Sequence, residues 1–303
     1  MKLILSHNQS MEFNDFFTKI QNGKELFDYS GYHDLLFKFD NTLIHSIQFL
    51  NLDTNRLSYH YSGVYLTGYL SCPDLAFTAA TILDFEGIHV VDRELINAPS
   101  LSKISEAAKL VSHNILMPKS YAGTKTAIIR ALTSGKVTLD FPLIMKLADG
   151  MRGSENYTIF NKNEVFDLLD GKEDSSIWIL QKYIESTGFY RINCFYGRPA
   201  YGVFRSLDDA PEDHERHLSH IYKPAGGGNA TFLETQDIPR PVRLAASRAS
   251  RVLKRDISGV DVIIDKHSKR AYVLEVNYNP QLVTVESFKD DRIHEFLKAI
   301  EEL

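Results

Sequence analysis

The sequence predicts an α+β protein whose first segment is a small α/β layer. Three observations carry that prediction. A strand–helix–strand unit lies near the start. Short apolar strands separated by turns dominate the later chain. The helices among those strands do not alternate with them one for one, as a doubly wound sheet would require. At 303 residues the chain is long enough for two to three small domains.

The α/β unit comes first. Residues 64–70 read as a strand and 73–86 as a helix, with Pro73 in its first turn and Gly87 at its stop. Leu75, Ala79, Ile82 and Leu83 give that helix one apolar face. Ile88 to Asp92 follows as a strand, and the spacing makes a βαβ unit in a parallel layer. A boundary falls at Asn97-Ala98-Pro99-Ser100. Ser100 or Ser102 then caps a helix that has Glu106 in its first turn and ends near His113-Asn114. Beyond Phe141 strands are expected at 143–146, 157–160, 177–181, 191–195, 200–205, 260–265 and 272–277. Helices are expected at about 241–254 and 292–302.

Composition excludes several function classes. Lys plus Arg number 34 and Asp plus Glu 39, a formal charge of −5, so there is no basic block for general nucleic-acid binding. Cys72 and Cys194 lie far apart, in no metal-ligand spacing, and fit a reducing compartment. The apolar start is too short for a signal peptide, and no stretch could span a bilayer. The expectation is a cytoplasmic protein without nucleic-acid or membrane partners.

Two constellations carry chemistry. In Leu143-Ile144-Met145-Lys146-Leu147 a single lysine sits in an apolar strand, and Gly150 and Gly153 follow. A buried ammonium costs free energy unless it meets an anion. Glycines beside it let backbone amides approach that anion, which is one way to build a phosphate site. The alternative is an edge-strand lysine before a flexible hairpin.

The second constellation is a pair of strands, 259–265 and 271–277, joined by the polar run Lys266 to Arg270. If Asp265 pairs with Ala271, Asp261 falls opposite Glu275, and Asn277 shares the face of Glu275. Facing acids in a Val/Ile/Leu neighbourhood destabilise a sheet. A divalent cation reverses the sign of both effects, and hard oxygen ligands suggest Mg²⁺ or Mn²⁺. A solvent-facing polar stripe is the alternative, though Val262, Ile263, Ile264, Val273, Leu274 and Val276 leave it little room.

Taken together, these stretches resemble the ATP-grasp fold, specifically the RimK-like ATP-dependent carboxylate–amine ligases. The resemblance runs from about Asn97 to Leu303. Leu101-Ser102-Lys103 with Met117-Pro118 is similar to the family's opening lysine helix. Pro142 to Gly153 is similar to its second lysine strand and phosphate loop. Leu180 to Ile184 resembles the adenine hinge, and Gly259-Val260-Asp261 with Leu274 to Pro280 resembles the metal strands.

The resemblance implies roles residue by residue. Lys103 and Lys146 would hold the ATP phosphates, with Gly150 and Gly153 in the loop over them. Gln181, Lys182, Tyr183 and Ile184 would line the adenine. Asp261, Glu275 and Asn277 would hold Mg²⁺, or Mn²⁺. Arg205 would sit beside the transferred phosphate, and Arg216 and His220 match phosphate-contacting residues. The family's Asp-x-Arg after the hinge is replaced around Phe189-Tyr190-Arg191, with Arg191 in place of its arginine. Glu155 stands where a further glycine is usual.

The implied organisation is a domain over 1–97, a central lobe over 98–184 and a metal-bearing lobe over 185–303. The implied activity joins a small-molecule or peptide carboxylate to an amine through an acyl phosphate. Modification of a peptide or protein is one alternative, and a nucleotide-binding regulatory protein without turnover is another. A homo-oligomer is left open. The triad His214, His217 and His220 admits a zinc site, but a polar loop explains it as well.

Overall fold

A computed structural model describes residues 1–6, 27–39, 47–97, 99, 102–148, 156–206 and 230–278. Gly150, Gly153, Arg216, His220, the His214–His217 pair and the expected helix at 292–302 lie outside the described residues.

The first domain is built on a parallel sheet of β1 (Lys2–Ser6), β2 (Phe27–Gly31), β6 (Gly63–Thr67) and β7 (His89–Val91), in the order β2-β1-β6-β7. The apolar N-terminus is thus a central strand, with Leu3, Ile4 and Leu5 fully buried. Between β2 and β6 the chain adds a small antiparallel sheet of β3 (Leu35–Phe39), β4 (Ile47–Asn51) and β5 (Arg56–Leu57). The helix α1 (Pro73–Phe85) has Pro73 in its first turn and ends before Gly87, whose φ of 70° suits glycine. It buries Ala76, Ala79, Ala80, Ile82 and Leu83.

The middle of the chain contributes α2 (Lys103–Ser112), β8 (Ser120–Thr124), α3 (Lys125–Thr133), β9 (Leu143–Leu147), β10 (Asn156–Ile159), α4 (Lys162–Leu169) and β11 (Ile177–Lys182). Its strands form a sheet in the order β10-β9-β11-β8. Ser102 is the cap of α2: its hydroxyl accepts the Ser105 amide and Ser105 reciprocates. Leu110 and Ile115, in α2 and just beyond it, pack into the core of the next lobe rather than beneath this sheet.

The last lobe is a five-stranded antiparallel sheet of β12 (Gly188–Phe195), β13 (Arg198–Ser206), β14 (Ala230–Glu234), β15 (Ile257–Ile264) and β16 (Ala271–Asn277). Its order is β14-β13-β12-β15-β16, and α5 (Arg240–Leu253) covers one face. Ile192, Cys194, Val260, Val262, Val273 and Val276 meet Val242, Ala246, Ala249 and Leu253 there. The opposite face carries the polar side chains. Tyr278, at the end of β16, reaches the first domain, where its ring lies 4.6 Å from that of Tyr69.

Candidate active site

The polar face of the C-terminal sheet follows from strand pairing. Across β12 and β15, Arg191 stands opposite Asp261. Across β15 and β16, Asp261 stands opposite Glu275, and Gly259 opposite Asn277. Across β12 and β13, Arg205 stands opposite Phe189, two positions from Arg191 and on its face. Arg205, Arg191, Asp261, Glu275 and Asn277 therefore share one surface. The other face of the same strands supplies the apolar core against α5.

The register differs from the sequence expectation by a compensated step. Ile264, not Asp265, pairs with Ala271, and Asp265 instead donates its amide to the Arg270 carbonyl at 2.9 Å. That register alone would set Asp261 against Leu274. An irregularity between Asp261 and Val262 leaves Leu274 as the extra residue, and Asp261 returns to a position opposite Glu275.

Asp261 is 1% exposed, and its charge is met by Arg191 in a two-pronged pair. Arg191 Nε lies 2.7 Å from Oδ1 and a terminal nitrogen 2.7 Å from Oδ2. Asn277 Nδ2 donates to Asp261 Oδ2 at 3.4 Å and to the Gly259 carbonyl at 3.2 Å. Burial lowers the Arg205 pKa, and repulsion from Arg191 acts in the same sense while Asp261 opposes it.

Lys146 enters from the other lobe. It faces Ile179 across β9 and β11, and its Nζ donates to Gln181 Oε1 at 3.3 Å. Gln181 is buried and in turn donates to Ser120 Oγ at 3.0 Å. Burial lowers the Lys146 pKa; Glu275, Glu106 and Asp261 pull it up, and Lys103 pushes it down. Those influences place the ammonium in the field of all three acids and of the lysine at the start of α2.

Gln181, expected at the adenine, accepts the hydrogen bond from Lys146. Lys182, the next residue, points to the other face and is exposed, and its amide donates to the Lys119 carbonyl at 2.8 Å. Tyr183 and Ile184 follow in irregular backbone between the lobes, each half-buried. Two parts of this neighbourhood escaped the sequence reading. The Arg191–Asp261 pair needs the strand order. Glu106 looked like a helix-start acid, but its burial at 6% exposure marks it as something else.

The donor set suits Mg²⁺ or Mn²⁺. Asp261, Glu275 and Asn277 lie on one surface without sulfur or imidazole, the residue types that Mg²⁺ takes, with both Asp261 oxygens held here by Arg191. Arg191 supplies the balancing positive charge on Asp261.

A mixed first domain, a four-stranded central sheet with its lysine and a five-stranded sheet with facing acids define the ATP-grasp class. Comparison with known proteins agrees. The sequence is 25% identical over 249 residues to a probable α-L-glutamate ligase of Nitrosococcus oceani, covering 79% of this chain and 78% of that relative. A probable α-L-glutamate ligase of Alkalilimnicola ehrlichii is 25% identical over 251 residues, covering 78% of each. No family model matches. Among solved structures, the ATP-grasp ligase PsnB with minimal precursor, Mg and ADP superposes with a TM-score of 0.65 at 11% identity, covering 98% of this chain and 97% of that one. The D-alanine–D-alanine ligase of Bacillus anthracis complexed with ATP gives 0.62 at 16% identity, covering 100% and 96%. The chain has the ATP-grasp fold and is similar to probable α-L-glutamate ligases, as the sequence resemblance implied.

Proposed function

We propose that this protein joins a carboxylate to an amine at the expense of ATP, releasing ADP and phosphate. The observation that carries the reading is the shared surface of Arg205, Arg191, Asp261, Glu275 and Asn277, with Lys146 brought into its field from the facing lobe. The glutamate-ligase relatives and ligase neighbours support it.

A carboxylate is a poor electrophile. Its oxygen attacks the γ-phosphorus of ATP, ADP leaves, and an acyl phosphate results. The amine nitrogen then attacks the acyl carbon, loses a proton and expels inorganic phosphate. Lys146 and Lys103 hold the nucleotide phosphates, and Gln181 aims Lys146. Arg205 and Arg191 face the transferred group, where fixed positive charge stabilises what develops in the transition state. Asp261, Glu275 and Asn277 would hold Mg²⁺, or Mn²⁺, which would supply positive charge for the phosphates. Tyr183 and Ile184, with the backbone around them, line the adenine.

The carboxylate belongs to an amino acid or a peptide, since the relatives are named for glutamate and a neighbour holds a precursor. We place the protein in the cytoplasm; no helix among the described residues is long and apolar enough to cross a membrane, and both cysteines are unpaired.

The test is ADP release with Mg-ATP against a panel of amino acids and peptides, with hydroxylamine added in place of the amine. ADP should form only with the right carboxylate, and hydroxylamine should trap it as a hydroxamate. A stable phosphorylated product that hydroxylamine does not intercept would replace the ligase reading with a kinase.

A further inference from the structure

A buried ionic cluster lies outside the proposed site and touches its metal strand. Arg255, between α5 and β15, is 2% exposed. Its Nε donates to Glu94 Oε2 of the first domain at 2.5 Å, and its NH1 to Glu106 Oε2 of α2 at 2.6 Å. The same NH1 donates to the carbonyl oxygen of Val276. Glu106 Oε1 accepts the Val276 amide at 2.8 Å. Arg255 and Glu106 thus hold both polar groups of a single peptide position.

That position is informative. β16 is an edge strand, so every second residue turns its amide and carbonyl away from the sheet. At Val276 those groups find an ion pair where a further strand would otherwise stand. Val276 lies between Glu275 and Asn277, and Glu106 sits one turn after Lys103 on α2. One contact therefore sets the metal strand against the first phosphate lysine. A clamp that only joined domains would not need to grip the strand there. The neighbouring pair Arg93–Asp256 joins the same two domains at 2.6 Å. Its aspartate accepts the backbone amides of Asp92 and Arg93, so that pair grips the chain just after β7.

We propose that Glu106 and Arg255 are positioning residues for metal-dependent nucleotide binding. They hold β16 in the place from which Glu275 and Asn277 would bind the ion. This rests on the ligase reading above. Partners that orient metal ligands typically matter by 10- to 100-fold, roughly, in metal affinity.

The experiment is calorimetric titration of the full chain with ADP, once with Mg²⁺ and once in EDTA. Glu106→Ala should weaken Mg-ADP binding by about a hundredfold and leave ADP binding in EDTA near wild type. Glu106→Gln keeps an oxygen for the Val276 amide but loses the charge facing Arg255, so its loss should be about tenfold. Arg93→Ala should bind Mg-ADP as the wild type does. If Glu106→Ala does not fold, Glu106→Gln decides alone, and wild-type Mg-ADP affinity in it overturns the proposal. An equal loss in Arg93→Ala also overturns it, because the cluster would then be a general junction. Absence of Mg²⁺-dependent ADP binding in the wild type is a different failure, which removes the ligase reading and this role with it.

Discussion

Lys146 bears a desolvation cost, because its half-buried ammonium has exchanged water for a neutral amide, Gln181, at 3.3 Å. An incoming phosphate reverses that penalty. Lys146→Ala should therefore weaken ATP binding or turnover by about a hundredfold, by analogy with loss of one fixed charge-stabilising group. ATP titration and ADP release read this directly, and wild-type values for both would remove Lys146 from the site. Glu275→Gln keeps the side-chain shape and one oxygen but loses charge. It should lower turnover far more than melting temperature, and a matching fall in both would make Glu275 a packing residue. Lys146 was legible in the sequence because a lone charge in Leu-Ile-Met-Lys-Leu stands out by itself. Arg191 as the partner of Asp261 was not, since the two are 70 residues apart and meet only through the β12–β15 pairing.

Elements with strong punctuation were legible, and weakly patterned ones were not. Pro73 and Gly87 bracket α1, and Ser102 opens α2. The helices α3 and α4 went unread because they are 9 and 8 residues long, with Ile128 alone buried in the first and Val165 and Leu169 in the second. Amphipathic periodicity needs more turns than that to show. The bulge at Leu274 was equally unreadable, because a register read from a hairpin assumes unbroken pairing. Gly188 at the start of β12 is a further hidden constraint. A Cβ there would stand 2.3 Å from the Arg205 carbonyl oxygen and 2.5 Å from the Phe204 ring. Gly188→Ala must push β13 away, and with it Arg205. Thermal unfolding should show a loss of about 1–3 kcal/mol, accompanied by lower turnover. An unchanged melting temperature would mean that the strand pair yields without cost.

At the scale of the whole molecule, the first domain is joined to the last lobe through buried charge. The βαβ unit was legible, but the junction was not, because it assembles Glu94, Glu106, Arg255 and Asp256 from segments distant in sequence. Asp92 lies in that junction, fully buried, at a φ of 71°. Both of its carboxyl oxygens are buried, and a backbone contact with Ile257 offsets that burial only in part. Burial raises its pKa well above the ordinary value, and Asp256 and Glu94 add to the rise against the opposing Arg255. The folded state then holds this proton more tightly than the unfolded chain, whose aspartate titrates near pH ~3.9. Below that pH both states are protonated and Asp92 contributes no pH dependence. As pH rises from there toward the native pKa, the unfolded state loses its proton first and stability falls. Asp92→Asn removes this slope, and asparagine tolerates the left-handed backbone that Asp92 adopts. The melting temperature of the variant relative to wild type should therefore climb as pH rises above the ordinary aspartate range. A difference that stays flat as pH rises would show that Asp92 is ionised in the folded protein, a fourth carboxylate beside Glu94, Glu106 and Asp256 against the two arginines Arg93 and Arg255.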